Sequence, residues 1–189
     1  MTSTAWIVVG IIVVAVLVVG AILWSRRARS EHLRDHFGPE YDRAVEAKGD
    51  RAKAEAELAE REKRVEKLDI RPLEPSERRE FTHRWADVQA RFVDDPTRAV
   101  AFADALLADV MKARGYPVSD FDQRAGDISV DHPIVVDHYH KAHDIAVRHE
   151  RGQANTEDLR QAMIHYRALF DNLVGAEAPA AREAEPAHH

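Results

Sequence analysis

The sequence predicts an all-α protein: one N-terminal transmembrane helix, then an antiparallel helical bundle reached through a charged connecting helix. Three observations predict it. Ala5 to Trp24 is a 20-residue run without a charge, and every Asp, Glu, Lys and Arg of the 189-residue chain lies after Ser25. Beyond that run, apolar residues recur at three-four spacing, with glycine and proline between the periodic stretches or at their first turns. No stretch alternates convincingly with period two, so no sheet is expected.

The first element is the apolar run. Twenty residues at 1.5 Å each make a helix about 30 Å long, the thickness of the hydrocarbon core. Its valines and isoleucines are mediocre helix formers in water, but in lipid an unsatisfied backbone costs more than their propensity does. Trp6 and Trp24 bracket the run as an interfacial aromatic belt would. A cleaved signal peptide is the alternative, but Met1–Thr4 carry no basic side chain and the run is long. Arg26, Arg27 and Arg29 crowd its C-terminal flank, and the other flank has no Lys or Arg. The positive-inside rule then puts the N-terminus outside and residues 26–189 in the cytoplasm, at the inner membrane of the cell.

The expected organisation is a tail over 1–4, the span over 5–24, a juxtamembrane segment over 25–49, a charged helix over 50–70, the bundle over 71–174 and a disordered tail over 175–189. In the juxtamembrane segment Leu33, Phe37 and Tyr41 recur at helical spacing, and Gly38-Pro39 breaks or restarts the helix. Residues 50–68 hold six acidic and six basic side chains. Glu57 with Arg61 and Glu60 with Arg64 are well-oriented i, i+4 pairs, and the apolar stripe is thin. This reads as a solvated helix laid along the bundle or joining it to the membrane.

Four longer helices and one short one follow. Ser76 is expected to cap the first, whose stripe is Phe81, Trp85, Val88 and Phe92. Asp95-Pro96 is a cap followed by proline at the first helical position. The helix after it buries Ala99, Ala103, Leu106 and Val110, flanked by Phe102 and Leu107. Ser119 and Asp122 form a capping pair for the shorter helix. His132-Pro133 opens the next, with Val135, Tyr139, Ala142 and Ala146 on one face. Thr156-Glu157-Asp158 opens the last, with a seam of Leu159, Met163, Tyr166, Phe170 and Leu173. Three-four spacing and short connections favour an antiparallel bundle.

Composition excludes several chemistries. The chain has no cysteine, so disulfides, thiolate metal sites and cysteine nucleophiles are out. A net charge of −6 argues against a general nucleic-acid binder. There is no Walker loop, GxGxxG or GxSxG. Glu80-x-x-His83 is the one Glu-x-x-His of the expected helices, and both side chains point away from the Phe81 stripe. Five of the eleven histidines fall between His132 and His149. Helical geometry spreads them around the wheel, and His138 and His149 are about 16 Å apart along it. No catalytic, cofactor or metal site is therefore predicted. The residues that stand out are in one long connection: Arg114, Tyr116, Phe121, Asp131 and His132. Aromatics and arginine anchor interfaces, which makes these a candidate partner surface. The alternative there is a lid, with Tyr116 and Phe121 folded over the bundle end and Gly115 as a left-handed helix stop.

Five pieces carry a resemblance: LRDHFGPEYDRAV (33–45), RPLEPSERREF (71–81), RFVDDPTRAV (91–100), VMKARGYPVSDFDQRAGDISVDHPIVVDHY (110–139) and TEDLRQAMIHYRALF (156–170). Together they resemble a family of uncharacterised bacterial single-span membrane proteins. The resemblance implies one anchored helical domain and carries no activity, ligand or catalytic residue. The expected role is a membrane-tethered, non-catalytic adaptor or scaffold whose partners are the lipid bilayer and another protein. A membrane-bound pH or metal sensor using the His132–His149 region is the second expectation.

Overall fold

Glycine and proline divide the chain as their backbone chemistry dictates. The computed structural model of the protein describes residues 2–117 and 119–175, with the side chains of residues 2–13, 15 and 22 outside that description. Among the described residues there are eight α-helices and no strand: α1 (Thr2–Phe37), α2 (Pro39–Lys48), α3 (Arg51–Val65), α4 (Pro75–Asp94), α5 (Pro96–Ala113), α6 (Phe121–Asp131), α7 (Pro133–Glu150) and α8 (Thr156–Gly175). Proline opens α2, α4, α5 and α7, where its missing N–H breaks no helical bond and its fixed φ is already helical.

Two caps differ from expectation. Pro75 starts α4, so the cap is Glu74 rather than Ser76, and Glu77 reaches back to accept from the Glu74 N–H at 2.8 Å. Asp120, not Ser119, caps α6. Its Oδ1 accepts from the Gln123 N–H at 2.9 Å because residue 120 is the last one with extended backbone before the helix. Asp95 caps α5 as expected, accepting from the Arg98 N–H at 3.0 Å. Asn155 accepts from the N–H groups of Glu157 and Asp158 at the start of α8.

Two compact units divide the chain, Met1–Leu58 and Ala59–His189. Their boundary falls inside the charged helix. In the first unit, α1 runs unbroken past the expected juxtamembrane border to Phe37, and Gly38, at φ 49°, lets Pro39 start α2. Leu33, Phe37 and Tyr41 are buried, together with Ala44, Ala54 and Leu58. Glu55 on α3 ties the three helices. It accepts from Ser30 Oγ on α1 at 2.5 Å, Tyr41 Oη on α2 at 2.7 Å and Arg51 Nε at 2.8 Å. Burial pushes the Glu55 pKa up, but these donors outweigh it and hold the carboxyl below the usual range.

Among the described residues, no helix is long and apolar enough to cross a membrane. Much of the Ala5–Trp24 run, Trp6 included, has its side chains outside the description. The large apolar side chains that are described there, at 14, 16–19, 23 and 24, are all more than half exposed. Of the tail expected over 175–189, Gly175 is the last residue of α8, and residues 176–189 lie outside the described residues.

In the second unit α4, α5, α7 and α8 form a helical bundle, with α6 packed on α7. The expected α8 seam is buried along its whole length, joined by Ala162, Leu169 and Val174. Trp85 of α4 stacks on Phe170 with ring centres 4.7 Å apart. The core face of α7 has the expected direction but is wider: Tyr139 and Ala142 are buried with Val136 and Ile145, and Val135 and Ala146 pack against the core partly buried. The second half of α3 is not simply solvated, since Ala59 and Val65 are buried. Arg64 donates to the buried Asp127 of α6 at 2.7 Å, and Arg61 Nη1 lies 3.5 Å from the buried Ser129 Oγ. Gly126 leaves room for this approach, because a Cβ there would meet the Arg61 Nε at 3.3 Å. Arg64 is thus committed to α6, and Glu60 pairs with Lys63 at 3.0 Å.

Candidate functional site

Four of the five residues expected on a partner surface come together at the bundle end, with Arg114 and Tyr116 inside it and Asp131 and His132 half-buried at its edge. Arg114 is fully buried and Tyr116 nearly so. Arg114 caps the C-terminus of α5, and its backbone carbonyl accepts from the Arg71 N–H at 2.9 Å. Its side chain turns inward: Nη1 donates to the Leu173 carbonyl of α8 at 2.9 Å and Nε to the Arg71 carbonyl at 3.3 Å. One guanidinium thereby satisfies a carbonyl at the end of α8 and fixes the segment leading into α4. Gly115 follows at φ 101°, a left-handed stop that only glycine takes without strain. A Cβ there would collide with the Asp69 carbonyl oxygen.

Tyr116 Oη donates to Asp131 Oδ2 at 2.8 Å, joining the end of α5 to the end of α6. Burial raises the Tyr116 pKa, and the Asp131 carboxylate raises it further, so the phenol stays protonated as a donor. His132 is the single residue between α6 and α7, and it is half-buried. Burial and the Arg114 charge lower its pKa to about 4, against the opposing pull of Asp131 and Asn172. Phe121 lies apart from this knot, stacked on His143 at 3.6 Å and edge-on to His140 at 5.5 Å. The aromatic lid expected over the bundle end is thus made by Tyr116 alone.

The histidines of α7 disperse as their spacing requires. His138 Nδ1 lies 2.9 Å from His165 Nδ1 of α8, a hydrogen bond in which one ring must donate and the other accept. Burial lowers the His165 pKa, and His138 and Lys141 lower it further. His149 bridges Thr97 Oγ1 at 2.9 Å and the Ala154 carbonyl at 3.2 Å. Among the described residues, no three acidic or histidine side chains converge as a metal site. Glu80 and His83 are exposed, with His83 Nδ1 3.4 Å from Asp87.

Two features had no signature in the sequence. Ile134, beside the His132 joint, is 82% exposed. A cavity of about 260 Å³ opens between α5, α7 and α8, and it mixes apolar side chains with Asp104, His143, His149, Glu150 and Tyr166. Fold and site together define a class: an all-α helical-bundle protein whose bundle end is locked by a buried arginine and a tyrosine–aspartate pair. Comparison with protein-family models, with curated proteins and with solved structures finds no match.

Proposed function

We propose that the protein is a single-pass inner-membrane adaptor or scaffold: a non-catalytic antiparallel bundle held on the cytoplasmic face by its N-terminal helix and acting through contacts with another protein. One observation carries this reading. The described apolar side chains of α1 between Val14 and Trp24 are exposed on all sides of a continuous helix, and an apolar surface of that extent needs lipid or protein around it. Trp6 and Trp24 then lie at the two interfaces, and Arg26, Arg27 and Arg29 on the cytoplasmic side. Because Arg114 and Tyr116 are interior, the partner surface consists of what they stiffen: Phe121, Asp131 and His132 at its edge, and the exposed Ile134 beside them. No nucleic acid is involved in this reading.

The test is topology. The chain has no cysteine, so Ala187→Cys supplies one label site. Labelling by a membrane-impermeant maleimide only after permeabilisation supports the reading. Labelling in intact cells overturns the cytoplasmic assignment, and release of the protein by alkaline carbonate without detergent overturns the anchor. For the partner surface, Ile134→Glu should abolish a co-purifying interaction while leaving the thermal midpoint unchanged, and retention of every partner refutes that assignment.

The His138–His165 hydrogen bond favours a second reading, a membrane-bound pH or metal sensor. Two protonated rings cannot share that bond, so acid should loosen α7 from α8. A sensor shifts its thermal midpoint between about pH 7.5 and 5.5, or with zinc. The shift should exceed that of a variant with His138, His140 and His143 changed to Gln, and equal shifts refute the reading.

A further inference from the structure

Just beyond the apolar stretch of α1, the carboxylates are already engaged and two arginines are not. Arg27 Nε donates to Glu31 Oε1 at 3.1 Å, and Glu55 accepts from Ser30, Tyr41 and Arg51. Arg26 and Arg29 are exposed and make no hydrogen bond or ion pair among the described residues. At about 100° per residue, Arg26 lies within about 40° of Ser30 on the wheel, one turn nearer the apolar stretch, and Arg29 lies about 60° further round. From α3, Arg51 Nη2 donates to Ser30 Oγ, which brings a third guanidinium to that face. Two other carboxylates are near in sequence. Asp50 accepts from the Lys53 N–H at 2.9 Å as a helix cap. Asp35 is about 9 Å along the helix from Arg29 and on the side of the wheel opposite Arg26.

From this geometry we infer that Arg26, Arg29 and Arg51 form a binding site for the phosphate of an anionic phospholipid. The inference rests on the reading of α1 as the membrane anchor. On that reading Trp24, which is 77% exposed, marks the edge of the hydrocarbon. Arg26 and Arg29 then stand about 3 and 7.5 Å beyond it along the helix. The polar layer of one leaflet is about 5–8 Å thick, so both arginines lie at the depth of the lipid phosphate. Guanidinium N–H groups match phosphate oxygens in pairs, and Arg51 keeps Nη1 to offer beside its bonds to Glu55 and Ser30. With Arg27 neutralised by Glu31 and Arg51 by Glu55, the positive charges of Arg26 and Arg29 remain. They attract a net-negative headgroup and repel the ammonium of a zwitterionic one. A free phosphate ion offers the same oxygens, but the depth of the two arginines beside Trp24 favours the lipid.

The test uses the full chain reconstituted in phosphatidylcholine vesicles, with spin-labelled phosphatidylglycerol or phosphatidylcholine as the probe. Electron spin resonance separates lipid held by the protein from bulk lipid. Phosphatidylglycerol should associate about fivefold more strongly than phosphatidylcholine. Arg26→Gln should lower that ratio about twofold, and adding Arg29→Gln should bring it to about one. Both positions are exposed, so the fold should survive. Arg34→Gln is the control. It removes one charge about 15 Å past Trp24, from an arginine facing Asp42 at 3.8 Å, and should leave the ratio unchanged. Excess inorganic phosphate should not displace the labelled lipid. Equal association of the two lipids, a ratio that survives the double variant, a fall in Arg34→Gln as large as in Arg26→Gln, or displacement by phosphate would each overturn the inference and leave the anchor reading standing. A chain that enters no vesicle and holds neither lipid would overturn both.

Discussion

Lowering the pH should destabilise the bundle end through His132, and the magnitude follows from its surroundings. Burial and the neighbouring Arg114 lower its pKa from 6.5 to about 4 in the folded chain. Between those values the unfolded chain binds a proton that the folded chain refuses, so folding stability falls as the pH falls from 6.5 and levels off below 4. At about 1.4 kcal/mol per unit of pKa, the whole excursion is worth about 3 kcal/mol, a lowering of the thermal midpoint of about 10 °C for a chain of this size. The assay is chemical denaturation of the full chain in micelles at intervals from pH 7 to 4, run in parallel on His132→Gln. The wild-type protein should lose about 3 kcal/mol more than the variant over that range. An independent readout is NMR titration of the His132 ring, which should still be neutral at pH 5. A ring that titrates near 6.5, or wild-type and variant curves of equal slope, would refute the reasoning.

Three further outcomes follow from named contacts. Gly115→Ala adds a methyl against the Asp69 carbonyl at a left-handed position, and should cost about 2–4 kcal/mol in a urea titration; a loss under about 1 kcal/mol would show that the 69–70 segment yields. Arg114→Ala removes the donor to the Leu173 and Arg71 carbonyls and leaves a cavity, so it should cost about 3 kcal/mol or more. Arg114→Met, which keeps much of the volume, should cost less by the same measurement. Arg64→Ala strands the buried Asp127 carboxylate and should cost about 3 kcal/mol, with most of that recovered in the double variant Arg64→Ala/Asp127→Ala.

Helix periodicity and proline placement made the α8 seam, the α4 stripe and the Gly38-Pro39 break readable in the sequence, because each depends on residues within two or three turns. The direction of the α7 face was legible too, but not its width: Val136 and Ile145 sit at its two edges, and neighbouring helices rather than local periodicity bury them. The Ser76 cap looked right by residue type, but Pro75 had already begun the helix one turn-position earlier. Arg114 is the clearest case of what stays hidden. An arginine beside a helix-stopping glycine reads as exposed, yet its acceptors are carbonyls 43 and 59 residues away. Asp127 was likewise hidden, since its partner Arg64 is 63 residues earlier in a helix that reads as solvated. The cavity arises from helices that individually look complete, so no local pattern marks it.

The continuity of α1 has a mechanical consequence. A helix of 36 residues is about 54 Å long, and no glycine–proline pair or kink-forming residue divides it after the apolar stretch. It is therefore a torsionally stiff shaft, keyed at its far end by Ser30, Leu33 and Phe37. One alanine inserted between Trp24 and Ser30 would turn that key by about 100°, whereas an insertion of seven would nearly restore its angle while lengthening the shaft by about 10 Å. Activity that survives seven added residues but not one would mean that the azimuth of the helix, rather than its reach, is what the rest of the chain reads.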